Sequence, residues 1–160
     1  MPPERKLETT IGVISDTHGL LRLEAVAALQ GSEFIIHAGD VGDHKILEDL
    51  SAIAPVTAVR GNVDNEAWAT PLPETNVLQI GEVAIYVLHD LNQLDLDPAA
   101  VNFAAVISGH SHRPTKEVRK GVLYFNPGSA GPRRFSLPIT VGRLGIRGTE
   151  LYPEHINLFP

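Results

Sequence analysis

Seven side chains able to bind a metal stand just past five apolar, strand-like runs of this 160-residue sequence. IGVIS leads to Asp16 and His18, FIIHAG to Asp40, VTAVRG to Asn62, AIYVL to His89, and AAVISG to His110 and His112. Residues two apart in an extended chain face the same side, so Asp16 with His18, and His110 with His112, can converge as pairs. Glycines at positions 19, 39, 61 and 109 permit the close backbone approach that convergence demands. Taken singly, each residue has an ordinary explanation: an Asp after a strand caps the next helix, as Asp40 would, and a lone His packs or lies on the surface. The ordered set is what points to chemistry. Ligands of open α/β sheets bind beyond the carboxyl ends of the strands, which sends all seven to one crevice. The sequence has no cysteine, which excludes disulfides and thiolate sites. Imidazole, carboxylate and amide oxygen remain as donors, so a bound metal would be Mn, Fe, Zn, Ni, Co or Mg.

The elements that must position these residues follow from periodicity. Residues 11–15, 34–37 and 55–60 read as buried strands, and 21–30 and 43–53 as the helices between them, giving a βαβαβ unit with parallel strands. Residues 62–74 form a long loop. Runs 75–80 and 83–88 make a hairpin about Gly81-Glu82. A loop over 91–98, whose tail starts a short helix, precedes a buried strand over 103–108. Residues 118–125 turn at Lys120-Gly121, and after a Pro/Gly-rich stretch over 126–132 two final strands flank Gly145. Residues 1–8, with two prolines, are expected to be a loose N-terminus, and the chain to be one domain over 1–160 without repeat or linker.

Composition narrows the function. No apolar run approaches the ~20 residues that cross a bilayer, and the start lacks the apolar segment of a secretory signal, so a cytoplasmic protein with no membrane partner is expected. The net charge of −6 argues against general nucleic-acid binding. Residues 1–100 hold 5 basic against 16 acidic side chains, whereas 101–160 hold 8 against 3. Arg133 and Arg134, in the basic part, are candidates for attracting an anionic substrate.

The series DTH, GDVGD, GNVD, the His89 segment and GHSH resembles the calcineurin-like metallophosphoesterases, and within them the small bacterial and archaeal phosphodiesterases. Those also share an NPGS segment like Asn126 to Ser129, followed by a sequence like GPRRF. The likeness runs from Asp16 to about Arg143. It implies an α/β fold, a two-sheet β-sandwich flanked by helices in four αββα layers. It also implies a centre of two divalent metal ions, Mn placed first. One ion would take Asp16, His18 and His112, the other Asn62, His89 and His110, with Asp40 bridging. The implied activity is hydrolysis of a small anionic phosphodiester by a hydroxide held between the ions, with Asp40, Asn62 and His110 as the catalytic residues. A homo-oligomer is compatible with this reading.

Two departures bear on the chemistry. Many superfamily phosphatases carry GNHE or GNHD, whose His is thought to protonate the leaving group, whereas Val63 cannot donate a proton. That favours diesters with good leaving groups, or protonation by water or His110. Asp64 is then expected behind the ligands, orienting one of them or an arginine. Relatives also commonly have Gly after the His89 equivalent, where this chain has Asp90. Of the other histidines, His37 is expected to be structural, His44 to lie near the start of the second helix and His155 to be exposed. The contrasting reading is a non-catalytic scaffold, because the retromer subunit of vacuolar sorting has this fold and acts chiefly in binding. In that branch an Asp replaces the Asn of the GN motif, so Asn62 favours the enzyme.

Overall fold

The structure is a computed structural model that describes residues 8–160. The first sheet forms where the sequence alternates apolar strand and amphipathic helix. Strands β1 (Glu8–Ile14), β2 (Phe34–His37) and β3 (Val56–Ala58) pair in parallel, linked by α1 (Leu23–Leu29) and α2 (His44–Ser51). Two late strands, β9 (Thr140–Arg147) and β10 (Glu150–Asn157), return antiparallel to extend it as β10-β9-β1-β2-β3. The second sheet contains β4 (Thr75–Ile80), β5 (Val83–Leu88), β6 (Ala105–Ile107), β7 (Thr115–Arg119) and β8 (Val122–Asn126), in the order β4-β5-β6-β8-β7. Within it β5, β6 and β8 run parallel, and the hairpin partners β4 and β7 close its edges.

The two sheets face each other across one apolar core. Ile11, Val13, Ile36 and Val59 of the first meet Ile85, Val87, Ile107 and Phe125 of the second. The outer face of the first sheet, with Ile14, Ile35 and Val141, is covered by Ala25 and Leu29 of α1 and by Ile46 and Leu50 of α2. Central strands buried on both faces must read as continuous apolar runs, as β1, β5 and β6 do. Helix α2 is capped by Asp43, whose side chain accepts the Lys45 N–H, leaving Asp40 free for another role. Tyr86, Leu88 and Val106, on the outer face of the second sheet, are covered by Leu91, Leu94 and Phe103. That cover is a turn-rich segment whose helical part is the short 3-10 turn Leu91–Gln93. The expected two-sheet sandwich flanked by helices is therefore the observed fold.

Several boundaries differ from the sequence reading. Strand β1 begins at Glu8, held by pairing with β9 and by an ion pair with Arg147 at 3.2 Å, so the expected loose terminus fails at that residue. The rest of that expectation, residues 1–7, lies outside the described residues. Gly145 lies inside β9, where a Cβ would collide with the Glu8 carboxylate, and the reversal comes at Gly148, with φ of +61°. His155 is half-buried rather than exposed: its Nε2 lies 2.8 Å from the Asn126 carbonyl, and its ring packs 4.8 Å from that of Phe125. Among the described residues no helix is long and apolar enough to cross a membrane.

Candidate metal centre

Each of the seven residues follows a strand at its carboxyl end: Asp16 and His18 after β1, Asp40 after β2, Asn62 after β3, His89 after β5, His110 and His112 after β6. Backbone hydrogen bonds lock the loops together. Asp16 N–H donates to the Gly39 carbonyl at 3.0 Å, His18 N–H to that of Asp40 at 2.9 Å, and Gly109 N–H to that of His89 at 2.9 Å. Gly61 and Gly109 allow this crowding, since a Cβ on Gly61 would strike the Asp40 backbone and carboxylate, and one on Gly109 the Ser15 hydroxyl. Asp64, 2% exposed, is a staple: its carboxylate accepts the N–H groups of Val41, Gly42 and Gly61 at 2.9–3.1 Å. It thus ties the Asp40 loop to the Asn62 loop through backbone, rather than orienting a ligand side chain or an arginine.

The side-chain donor atoms converge in two overlapping groups. In one, Asp16 Oδ1 lies 3.3 Å from His112 Nε2 and 3.7 Å from His18 Nε2, and the two imidazole nitrogens are 3.4 Å apart. In the other, His89 Nε2 lies 2.9 Å from Asn62 Oδ1 and 3.3 Å from His110 Nδ1. Asp40 Oδ2 stands between them, 3.6 Å from His18 and 3.2 Å from His89. Metal–ligand bonds of about 2.1 Å place neighbouring donors about 3.0 Å apart in an octahedron and about 3.4 Å apart in a tetrahedron. The observed spacings match those edges.

Polar accounting supports the same fit. Asp16 Oδ2 accepts the Ser15 hydroxyl and the His110 N–H, while Oδ1, fully buried, has no hydrogen-bond partner. A buried orphan oxygen of that kind calls for a cation. The other carboxylate divides likewise, Asp40 Oδ1 accepting the Val63 N–H at 3.0 Å and leaving Oδ2 to the cluster. His89 Nδ1 lies 2.7 Å from the Ala38 carbonyl, a pure acceptor, so Nδ1 carries the proton and Nε2 turns a lone pair inward. Asp16, His18, Asp40, His110 and His112 all have left-handed backbones, with φ between +47° and +70°. For residues other than glycine this costs on the order of 1 kcal/mol each, a concentration of strain typical of functional sites.

The electrostatics favour positive charge. Burial works to raise the Asp16 carboxyl, but the neighbouring imidazoles of His112 and His18 and the Ser15 hydroxyl outweigh it and hold the group well below the usual carboxylate range. Asp40 is also lowered: burial opposes this, and His89 and the Val63 N–H prevail. Burial pulls His89 down, yet Asp40, Asp16 and the Ala38 carbonyl carry its imidazole above its ordinary value. Two ionised carboxylates, four imidazoles and one neutral amide oxygen therefore suit divalent cations that accept oxygen and nitrogen.

A cleft of about 480 Å³ opens beside Asn62, His89 and His110, lined also by Arg60, Glu74 and Asp90. Arg133 and Arg134 are exposed and do not line it; Arg133 donates to the Leu137 carbonyl in its own loop. Arg60, which does line it, is the residue that the sequence reading missed. The signal was its place two residues before Asn62, the same relation that joined the histidine pairs. Asp90 Oδ2 lies 3.9 Å from His110 Nε2. His37 is fully buried between the Thr17 hydroxyl and the Gly39 N–H, a structural place, and His44 begins α2 away from the cluster.

Comparison with known proteins agrees with this geometry. The chain is 37% identical over 132 residues to a probable metallophosphoesterase of Methanocaldococcus jannaschii, covering 74% of this chain and 67% of the relative. It is 32% identical to one from Methanothermobacter thermautotrophicus, covering 92% and 91%. Phosphodiesterase YfcE of Escherichia coli is 28% identical, covering 81% and 84%. A crystal structure of a conserved Streptococcus pneumoniae protein, described as a predicted phosphoesterase, superposes with a TM-score of 0.75 at 27% identity, covering 95% of this chain and 91% of that one. Vacuolar protein sorting 29 of Cryptosporidium parvum shares the fold alone, with a TM-score of 0.75 at 18% identity over 94% of this chain and 98% of that one. Residues 10–149 match the calcineurin-like phosphoesterase superfamily domain. With strand ends, donor set and relatives in agreement, the chain belongs to the calcineurin-like phosphoesterase superfamily.

Proposed function

We propose that this protein hydrolyses a small phosphodiester at a centre that holds two divalent cations. The observation that carries the proposal is the pair of donor groups sharing Asp40 Oδ2, with each histidine and carboxylate donor turned inward. Asp16, His18 and His112 would hold one ion, Asn62, His89 and His110 the other, and Asp40 both. Bound cations supply Lewis acidity, lowering the pKa of water and neutralising charge that builds on the phosphoryl oxygens.

The chain's own residues set the substrate charge. Asn62 contributes an oxygen without adding charge, so two dications face only the carboxylates of Asp16 and Asp40. With the negative charge of a hydroxide nucleophile added, about one positive charge would remain, which suits a phosphodiester monoanion, and an Asp at position 62 would cancel it. His110 stands half-exposed at the cleft and would hydrogen-bond a departing oxygen, since Val63 has no proton to give. Diesters with low-pKa leaving groups are the expected substrates, and a phosphate monoester dianion a poorer one.

The test removes bound metal with chelator and restores Mn, Ni, Co, Zn or Mg singly. Turnover of an aryl phosphodiester is then followed beside that of the matching monoester. Metal-dependent cleavage with the diester preferred is the expected result. A protein that binds cations yet cleaves neither ester would instead be a scaffold of the kind that shares its fold.

A further inference from the structure

The cleft beside Asn62, His89 and His110 carries a charge pattern that binding of a phosphoryl group does not use. Arg60 is the one Lys or Arg in its lining, and it is already engaged, with Nη2 3.4 Å from Glu74 Oε1 on the same wall. Besides Asp64, whose carboxylate is taken up by three backbone N–H groups, Glu66, Asp90 and Asp95 complete the charged lining. Among the described residues, none of the Lys and Arg ion pairs reaches Glu66, Asp90 or Asp95. Arg133 and Arg134, which would offset part of this negative charge, do not line the cleft. At about 480 Å³ the cleft exceeds what a phosphoryl group fills and has room for a substituent on it.

We propose that the Arg60–Glu74 pair makes this cleft the specificity element for the substrate's alcohol arm, accepting an uncharged or cationic arm, such as an aminoalcohol, and refusing one that bears a second anionic group. The inference rests on the phosphodiesterase reading of the adjoining donors. A phosphoryl monoanion drawn to Asn62 and His110 presents its substituent to the cleft. A second phosphate or carboxylate there meets Asp90 and Asp95 and finds the guanidinium of Arg60 already neutralised by Glu74. An ammonium group finds acceptors instead. The lining is partly solvated, so the discrimination is moderate and salt-sensitive.

The experiment uses the metal-restored full-length protein and three aryl phosphodiesters that differ only in the second alcohol: trimethylammonioethyl, ethyl or carboxyethyl. The expected kcat/KM falls in that order by about 10-fold across the series at low salt, mostly through KM, and the spread narrows as salt is added. Glu74→Gln, at an exposed position, releases Arg60 and should raise turnover of the carboxyethyl diester relative to the ethyl one. Asp95→Asn should shrink the advantage of the cationic arm. A flat or reversed order, with the ethyl diester still cleaved, overturns the charge inference alone. No cleavage of any of the three by folded, metal-loaded protein overturns the phosphodiesterase reading, and this inference with it.

Discussion

The two carboxylate oxygens of Asp40 do different work: Oδ1 is tied to the backbone of Val63, while Oδ2 faces His18 on one side and His89 on the other. Asp40→Ala should therefore weaken both cation positions, whereas His18→Ala or His89→Ala should weaken mainly one. Calorimetric metal titration checks this, and equal losses from all three variants would remove Asp40 from the bridging role. At this scale the sequence was highly informative, because the seven donors stand in register with the strand ends and their residue types suit cations. Orientation was not legible. That His89 exposes Nε2 depends on a carbonyl 51 positions away, at Ala38, and that Asp64 grips backbone N–H groups depends on how two loops fold together.

Loops, rather than strands, hold the centre in shape. The Asp64 carboxylate accepts three N–H groups from the loops after β2 and β3, and its removal leaves those donors unpaired in a buried place. Asp64→Ala should cost about 3 kcal/mol of stability, and Asp64→Asn, which keeps one acceptor oxygen, about half as much. Urea unfolding of the metal-free variants measures both, and cation affinity should fall in the same order. The strands themselves were legible as apolar runs, because burial on both faces leaves no alternation to blur them. Their ends were less so. Gly145 reads as a turn signal but serves to let Glu8 and Tyr152 approach β9, and only a long-range pairing shows it. The cover over the second sheet packs through Leu91, Leu94 and Phe103 without an α-helix, a choice that tertiary contacts make and local propensity does not.

For the molecule as a whole, the buried histidine sets an acid limit. Burial, opposed by the carboxylates of Asp16, Asp64 and Asp40, lowers His37 from 6.5 to about 4. Between those values the unfolded chain binds a proton that the folded chain refuses, so stability is complete above pH 6.5 and declines as pH falls toward 4. The loss is on the order of 3 kcal/mol. Denaturation of the metal-free protein followed through its single Trp, Trp68, should show this decline, and His37→Gln should flatten it. The left-handed backbones at the candidate ligands carry a different consequence. Replacing His110, half-exposed with φ of +70°, by glycine should leave the metal-free protein as stable as its parent, against the usual cost of such a change, while reducing the rise in melting temperature expected on adding cations. Cations that bind the folded form alone should stabilise it by mass action, so divalent cation supply should govern the lifetime of this protein as well as its activity.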